Sequence, residues 1–164
     1  MHFTIRRVRP DDGPRLAEVR LRALADAPEA FVTTHAEAAQ RSAEEWSEQA
    51  AARAVGTRQV THFAERDDVP VGMIGAFVGA DPSVADLVAL WVAPDGRRRG
   101  VARTLIEAVM AWAHDTGVTE VQLWVAAGNE AAYNLYESEG FEEVSGDPMA
   151  EGLRPSDRRM ARGC

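Results

Sequence analysis

The sequence predicts a single α/β (α+β) domain built on a mixed sheet. Its 164 residues match the size of one domain. Hydrophobic residues make up 46% and charged residues 27%, the proportions of a globular protein. Periodicity gives the order strand, two helices, three strands, helix, strand, helix, strands, with no internal repeat, linker or low-complexity tract. These values exclude a disordered tail, a collagen-like rod and a disulfide scaffold.

Phe3 to Val8 alternates apolar and polar residues, as a strand does, and Pro10-Asp11-Asp12 marks a turn into a helix over about Arg15 to Ala25. A second helical stretch is expected from about Ala36 to Ala54. Gln59–Glu65 and Val71–Val78 form a hairpin around Arg66-Asp-Asp-Val-Pro. Asp86–Val92 is continuously apolar after its aspartate, which marks a central strand. Val101–Asp115 carries a wide apolar stripe suited to a helix packed on a sheet. Glu120–Val125 is a strand, Asn129 can cap a helix that ends at Gly140, and Phe141–Val144 and Ser156–Ala161 close the sheet. A polar loop with Gly146, Pro148, Gly152 and Pro155 separates the last two.

The net charge of -8 argues against a nucleic-acid partner and is compatible with cationic amines, though solubility explains it equally well. Cys164 is the single cysteine and His2, His35, His62 and His114 are scattered, so no metal is expected. There is no secretory leader pattern and no apolar run of ~18 residues. The expectation is a cytoplasmic chain with no membrane partner.

The sharpest chemical signal is the strand-to-helix turn after Val92. Arg97, Gly100 and Ala102 follow the spacing Arg-x-x-Gly-x-Ala, with Arg98 and Arg99 between. Small residues allow close approach to the backbone, and free N–H groups at a helix start attract anions. The pattern fits a pyrophosphate cradle, yet it is neither G-x-G-x-x-G nor a P-loop. A surface turn with a solvated arginine run is the alternative.

With Val92-x-Pro94 ahead of it, this turn resembles the acetyl-CoA motif of the GNAT superfamily of N-acetyltransferases. Asn129-x-x-Ala132-x-x-x-Tyr136-x-x-x-Gly140-Phe141 resembles that family's second motif. The resemblance covers the whole chain, 1–164, as one domain. Acceptor-wall helices would span about 11–54, the acetyl-CoA motif about 86–116 and the second motif about 129–141. It implies a seven-stranded sheet, flanked by about four helices and splayed between Asp86–Val92 and Glu120–Val125. It further implies that the backbone of Leu90, Trp91 and Val92 holds the pantetheine arm. Backbone N–H groups of Arg98, Arg99, Gly100, Val101 and Ala102 would hold the pyrophosphate. Arg97 is the first motif position, and Asn129 caps its helix, contacts the arm, or does both.

The implied reaction is direct transfer of an acetyl group from acetyl-CoA to an amine. Tyr136 is the candidate acid for the leaving thiolate, its alternative role being a packed tyrosine. Asp86 is the candidate base, its alternative a polar residue at the solvated start of a strand. His35 and Glu37, in the region between the first two helices that would form the acceptor wall, are alternative bases. Phe31, Trp46 and His62 would contribute to that wall, with a core role the alternative for Phe31 and Trp46. The first expectation is acetylation of the primary amine of a small molecule, and family members are often homodimers. The alternatives are a protein N-terminal or lysine acetyltransferase, and a non-catalytic acyl-CoA-binding regulator.

Overall fold

The structure is a computed structural model that describes residues 2–146 and 156–164. Its strands are β1 (Thr4–Arg7), β2 (Gln59–Arg66), β3 (Val69–Val78), β4 (Val84–Val92), β5 (Glu120–Val125), β6 (Glu142–Val144) and β7 (Arg158–Gly163). They form one sheet in the order β1-β2-β3-β4-β5-β7-β6. The helices are α1 (Gly13–Asp26), α2 (His35–Ala39), α3 (Ala43–Ala54), α4 (Val101–Asp115) and α5 (Glu130–Ser138). This is the expected mixed, splayed sheet with helices on both faces. Pro148, Gly152 and Pro155 of the expected polar loop lie outside the described residues.

One expected helix is two. Ser42 Oγ accepts from the Glu45 N–H at 3.1 Å and Thr34 accepts from the Glu37 N–H at 3.1 Å. Each is an N-cap with an acidic residue three positions on, so the Ala36–Ala54 stretch restarts at Ser42 rather than running through.

All pairs are antiparallel except β4 with β5, which pair over Val84–Asp86 and Glu120–Gln122 alone. Beyond that rung the two strands diverge. β4 carries a bulge in the part that diverges: Gly75 pairs with Val88 and Met73 with Trp91, leaving an extra residue on β4. Ala89 takes a φ of +58° there. The bulge switches faces, so Leu87 joins the core beneath α4 while Trp91 joins the core beneath α1. The first core holds Val101, Leu105, Ile106 and Val109 of α4 against β2–β5. The second holds Leu16, Val19 and Leu24 of α1 with Trp46 of α3, Phe63 and Met73. Apolar burial in these two layers, at roughly 25 cal/mol per Å², is the main stabilising term.

Both ends of α5 are closed by its own sequence. Asn129 Oδ1 accepts from the Ala132 N–H at 3.2 Å. At the other end Phe141 N–H donates to Tyr136 O at 3.0 Å and Gly140 N–H to Glu137 O at 3.1 Å, a Schellman pair. Gly140 has a φ of +90°, which this cap requires. The Phe141 ring meets the Tyr136 ring edge-on at 5.8 Å. The Asn…Tyr…Gly-Phe spacing is therefore a device that fixes Tyr136.

His62, on β2 between Arg7 and Ile74, buries Nδ1 with no hydrogen-bond partner among the described residues. Burial, with the Arg7 charge, lowers its pKa from 6.5 to about 4. The folded chain keeps this ring neutral while the unfolded chain protonates it, so stability present above pH 6.5 is lost as pH falls towards 4. Urea unfolding should show the unsubstituted chain losing on the order of 3 kcal/mol more than His62→Leu between pH 7 and 4. Equal losses would show that the ring is solvated.

Candidate active site

A cleft of about 1070 Å³ follows the divergence of β4 and β5. Its walls come from β2–β5, from α1, α3 and the segment after α1, and from the start of α5. Past Asp86 and Gln122, the facing edges of β4 and β5 have no strand partner among the described residues. The gap also opens the sheet from one face to the other. Ala85 and Leu87 point into the core under α4, so Asp86 projects from the opposite face. Tyr136 approaches from the α4 side. Both line the same cleft.

Asp86 is half-buried. Its Oδ1 accepts from Gln122 Nε2 at 2.9 Å. Gln122 Oε1 in turn accepts from Arg159 Nε at 2.7 Å, which fixes the amide orientation. Arg159 is anchored by Glu120 at 2.8 Å. Burial raises the Asp86 pKa above the usual carboxylate range, against the opposing pull of Gln122 and Arg159. A carboxyl with a raised pKa is a better proton acceptor when ionised. Burial alone pushes the Tyr136 phenol well above its usual 10, so it holds its proton throughout the working range.

The Arg97–Ala102 turn lies outside this cleft, at the start of α4. Gly100 has a φ of +81°, and a Cβ built there would meet nothing within 4 Å. Open space therefore stands over a backbone conformation that suits glycine. Arg98 shares the left-handed region at φ +62°. No side chain caps α4, which leaves its first N–H groups available to an anion. Arg98 and Arg99 are exposed, whereas the Val101 side chain is core and contributes only backbone to the turn. This donor set fits a phosphate-bearing group.

The Arg97 side chain is engaged elsewhere. It pairs with Asp26 at the end of α1, and its Nε donates to Val92 O at 3.1 Å. Trp91 Nε1 donates to the same Asp26 carboxylate at 2.9 Å. This cluster ties α1 to the end of β4. Of the other expected residues, Leu90 and Asn129 line the cleft, and Trp91 and Val92 sit further along β4. Phe31 lines the cleft; Trp46 and His62 do not, and neither do the exposed His35 and Glu37. The sequence reading missed Arg20, Arg53, Gln122 and Arg159. No local motif marks them, because tertiary placement alone brings the first two to the cleft and links the last two to Asp86.

A family model described as the acetyltransferase (GNAT) family matches residues 21–141. The chain belongs to that family. It is 31% identical over 153 residues to a mycothiol acetyltransferase of Thermomonospora curvata, covering 93% of this chain and 48% of the relative. It is 36% identical over 85 residues to human N-acetyltransferase 8, covering 49% of this chain and 37% of the relative. The chain thus spans less than half the length of these relatives. Among solved structures, PaiA N-acetyltransferase of Thermoplasma acidophilum in complex with coenzyme A aligns over 100% of both chains, with a TM-score of 0.78 and 19% identity. A GNAT-family acetyltransferase of Streptococcus pneumoniae aligns over 99% of both chains, with a TM-score of 0.80 and 20% identity. These two share the fold.

A β-branched side chain at Gly100 would fill the open space over the turn and strain its backbone by about 1–3 kcal/mol. Gly100→Val should keep the fold and weaken acetyl-CoA binding more than tenfold in a calorimetric titration. Binding within twofold of the unsubstituted chain would place the phosphate site elsewhere.

Proposed function

We propose that this chain transfers an acetyl group from acetyl-CoA directly to the primary amine of a small molecule. The observation that carries the reading is that Asp86 and Tyr136, on opposite faces of the sheet, line one cleft along the unpaired edges of β4 and β5. The CoA-bound relative of the same fold and the acetyltransferase names of the sequence relatives support it. A cleft of about 1070 Å³ is large enough for a small acceptor beside an acyl-bearing arm.

Acetyl-CoA supplies an activated thioester carbonyl. The turn at Arg98–Ala102 would hold its pyrophosphate through backbone N–H groups, and the free edge of β4 from Leu90 to Val92 would hold the arm as an added strand. N–H groups on that edge would stabilise negative charge developing on the carbonyl oxygen. Asp86, oriented by Gln122 and Arg159, accepts a proton from the incoming ammonium, directly or through water. Without that loss the amine has no lone pair with which to attack. Tyr136, protonated and fixed by the cap at Gly140-Phe141, donates to the departing sulfur. Asn129 holds the helix start that carries Tyr136.

Release of CoA thiol over an amine panel tests this reading. Tyr136→Phe should lower kcat about 10²-fold or more while acetyl-CoA affinity stays near normal. Asp86→Asn should lower kcat/KM by a similar factor at pH 7. Part of that loss should return at higher pH, where more of the amine is already neutral. Unchanged kcat in Tyr136→Phe would assign the phenol to packing. Transfer to peptides but to no small amine would favour protein acetylation, and binding without thiol release would favour a regulator.

A further inference from the structure

Arg20 of α1 and Arg53 of α3 both line the cleft, half-buried, on the wall opposite Tyr136. Of the other half-buried arginines described, only Arg41, which lies outside the cleft with its guanidinium 5.0 Å from the Trp46 ring centroid, likewise has no ion pair or side-chain hydrogen bond among the described residues. Arg6, Arg15, Arg158, Arg159 and Arg162 all pair with carboxylates. Arg7 and Arg22 donate to backbone carbonyls. Among the described residues neither Arg20 nor Arg53 has an ion pair or a side-chain hydrogen bond. The Arg20 guanidinium lies 4.7 Å from the centroid of the Phe31 ring. The nearby charges that act on it are Arg53 and Arg41, and together with burial they lower its pKa to about 10. Burial and Arg41 likewise lower that of Arg53. Two unpaired cations held together in a cleft, in a chain of net charge -8, are unfavourable for the free protein and favourable for an anion.

The sheet sets the distance from these arginines to the reacting centre. Gln59, Phe77, Asp86 and Gln122 form one continuous rung across β2, β3, β4 and β5. Gln59 and Thr61 of β2 line the cleft with the two arginines. Phe77 and Val88, 42% and 40% exposed, form an apolar floor between them and Asp86. From β2 to β4 is two strand spacings, about 10 Å, and the arginine side chains shorten the span to be bridged. Glu29 and Asp157 also line the cleft, and Glu29 forms no ion pair with either arginine.

We infer that the acceptor is an amine that also carries a carboxylate. Arg20 and Arg53 bind the carboxylate, Phe77 and Val88 carry its apolar middle, and the amine is presented to Asp86. The inference rests on the acetyltransferase reading and narrows its substrate class. It runs against the cationic acceptor that net charge alone favours, because the arginine pair on one wall of the cleft, not the average charge of the chain, meets that part of the acceptor.

Matched pairs that differ only in the carboxylate test it: phenylalanine against phenethylamine, leucine against isoamylamine, and ε-aminocaproate against hexylamine. Thiol release should favour the carboxylate member of at least one pair by tenfold or more in kcat/KM. In Arg20→Met and Arg53→Met that preference should fall towards one through a rise in KM, while acetyl-CoA affinity holds. Removing an unpaired buried charge should also raise the melting temperature of Arg20→Met by about 2–4 °C, where a purely structural arginine would lower it. If no amine turns over, N-acetylphenylalanine and its amide are titrated into the CoA-loaded protein. Tighter binding of the acid, lost in Arg20→Met, supports the inference. Equal turnover of the pairs, an unaltered preference in the variants, or no preference for the acid overturns it. Failure to bind acetyl-CoA would instead overturn the acetyltransferase reading.

Discussion

The short parallel pairing of β4 with β5 is the constraint on which the rest depends. Three residues on each strand pair, and then the strands part. Had they stayed together, the sheet would be closed, Tyr136 would face a wall, and β4 would have no free edge. The last rung holds Asp86 and Gln122, so the strands separate at the carboxylate itself. Leu87 on one side of the opening and Leu123 and Val125 on the other belong to the one core under α4, and all three line the cleft.

The opening has a cost in backbone conformation, and β4 absorbs it locally. Ala89 takes a left-handed φ, an arrangement that non-glycine residues usually avoid. The bulge turns Trp91 beneath α1, where Asp26 accepts from its indole and Arg97 closes the cluster. A strained strand is thus anchored at its far end by a charged cluster that also seats α1. Through α1 the same anchor positions Arg20, so β4 and the arginine-bearing wall of the cleft share one mechanical support.

Much of the fold was legible in the sequence because its signals are local. Asn129, Gly140 and Gly100 each announce a backbone geometry within a few residues, and each adopts it. The Ala36–Ala54 stretch misled because alanine and glutamate favour helix on both sides of Ser42, and the cap prevailed over propensity. The site was legible only in part. The motif spacing marks Arg97, yet its partner Asp26 lies 71 residues away in sequence, and no local pattern predicts that pair. Arg20 and Arg53 sit on helices whose amphipathic patterns read as ordinary. Only the placement of α1 and α3 over β2 and β3 turns them into a cleft wall.

Amide hydrogen exchange with and without acetyl-CoA tests the central claim most directly, because it reads the backbone groups assigned to the ligand. Protection should appear in two separate segments, 87–92 on the free edge of β4 and 98–102 at the start of α4, with β1 and β2 unchanged. Protection confined to one segment, or found elsewhere in the chain, would contradict an arm laid along β4 with its phosphates on the α4 turn.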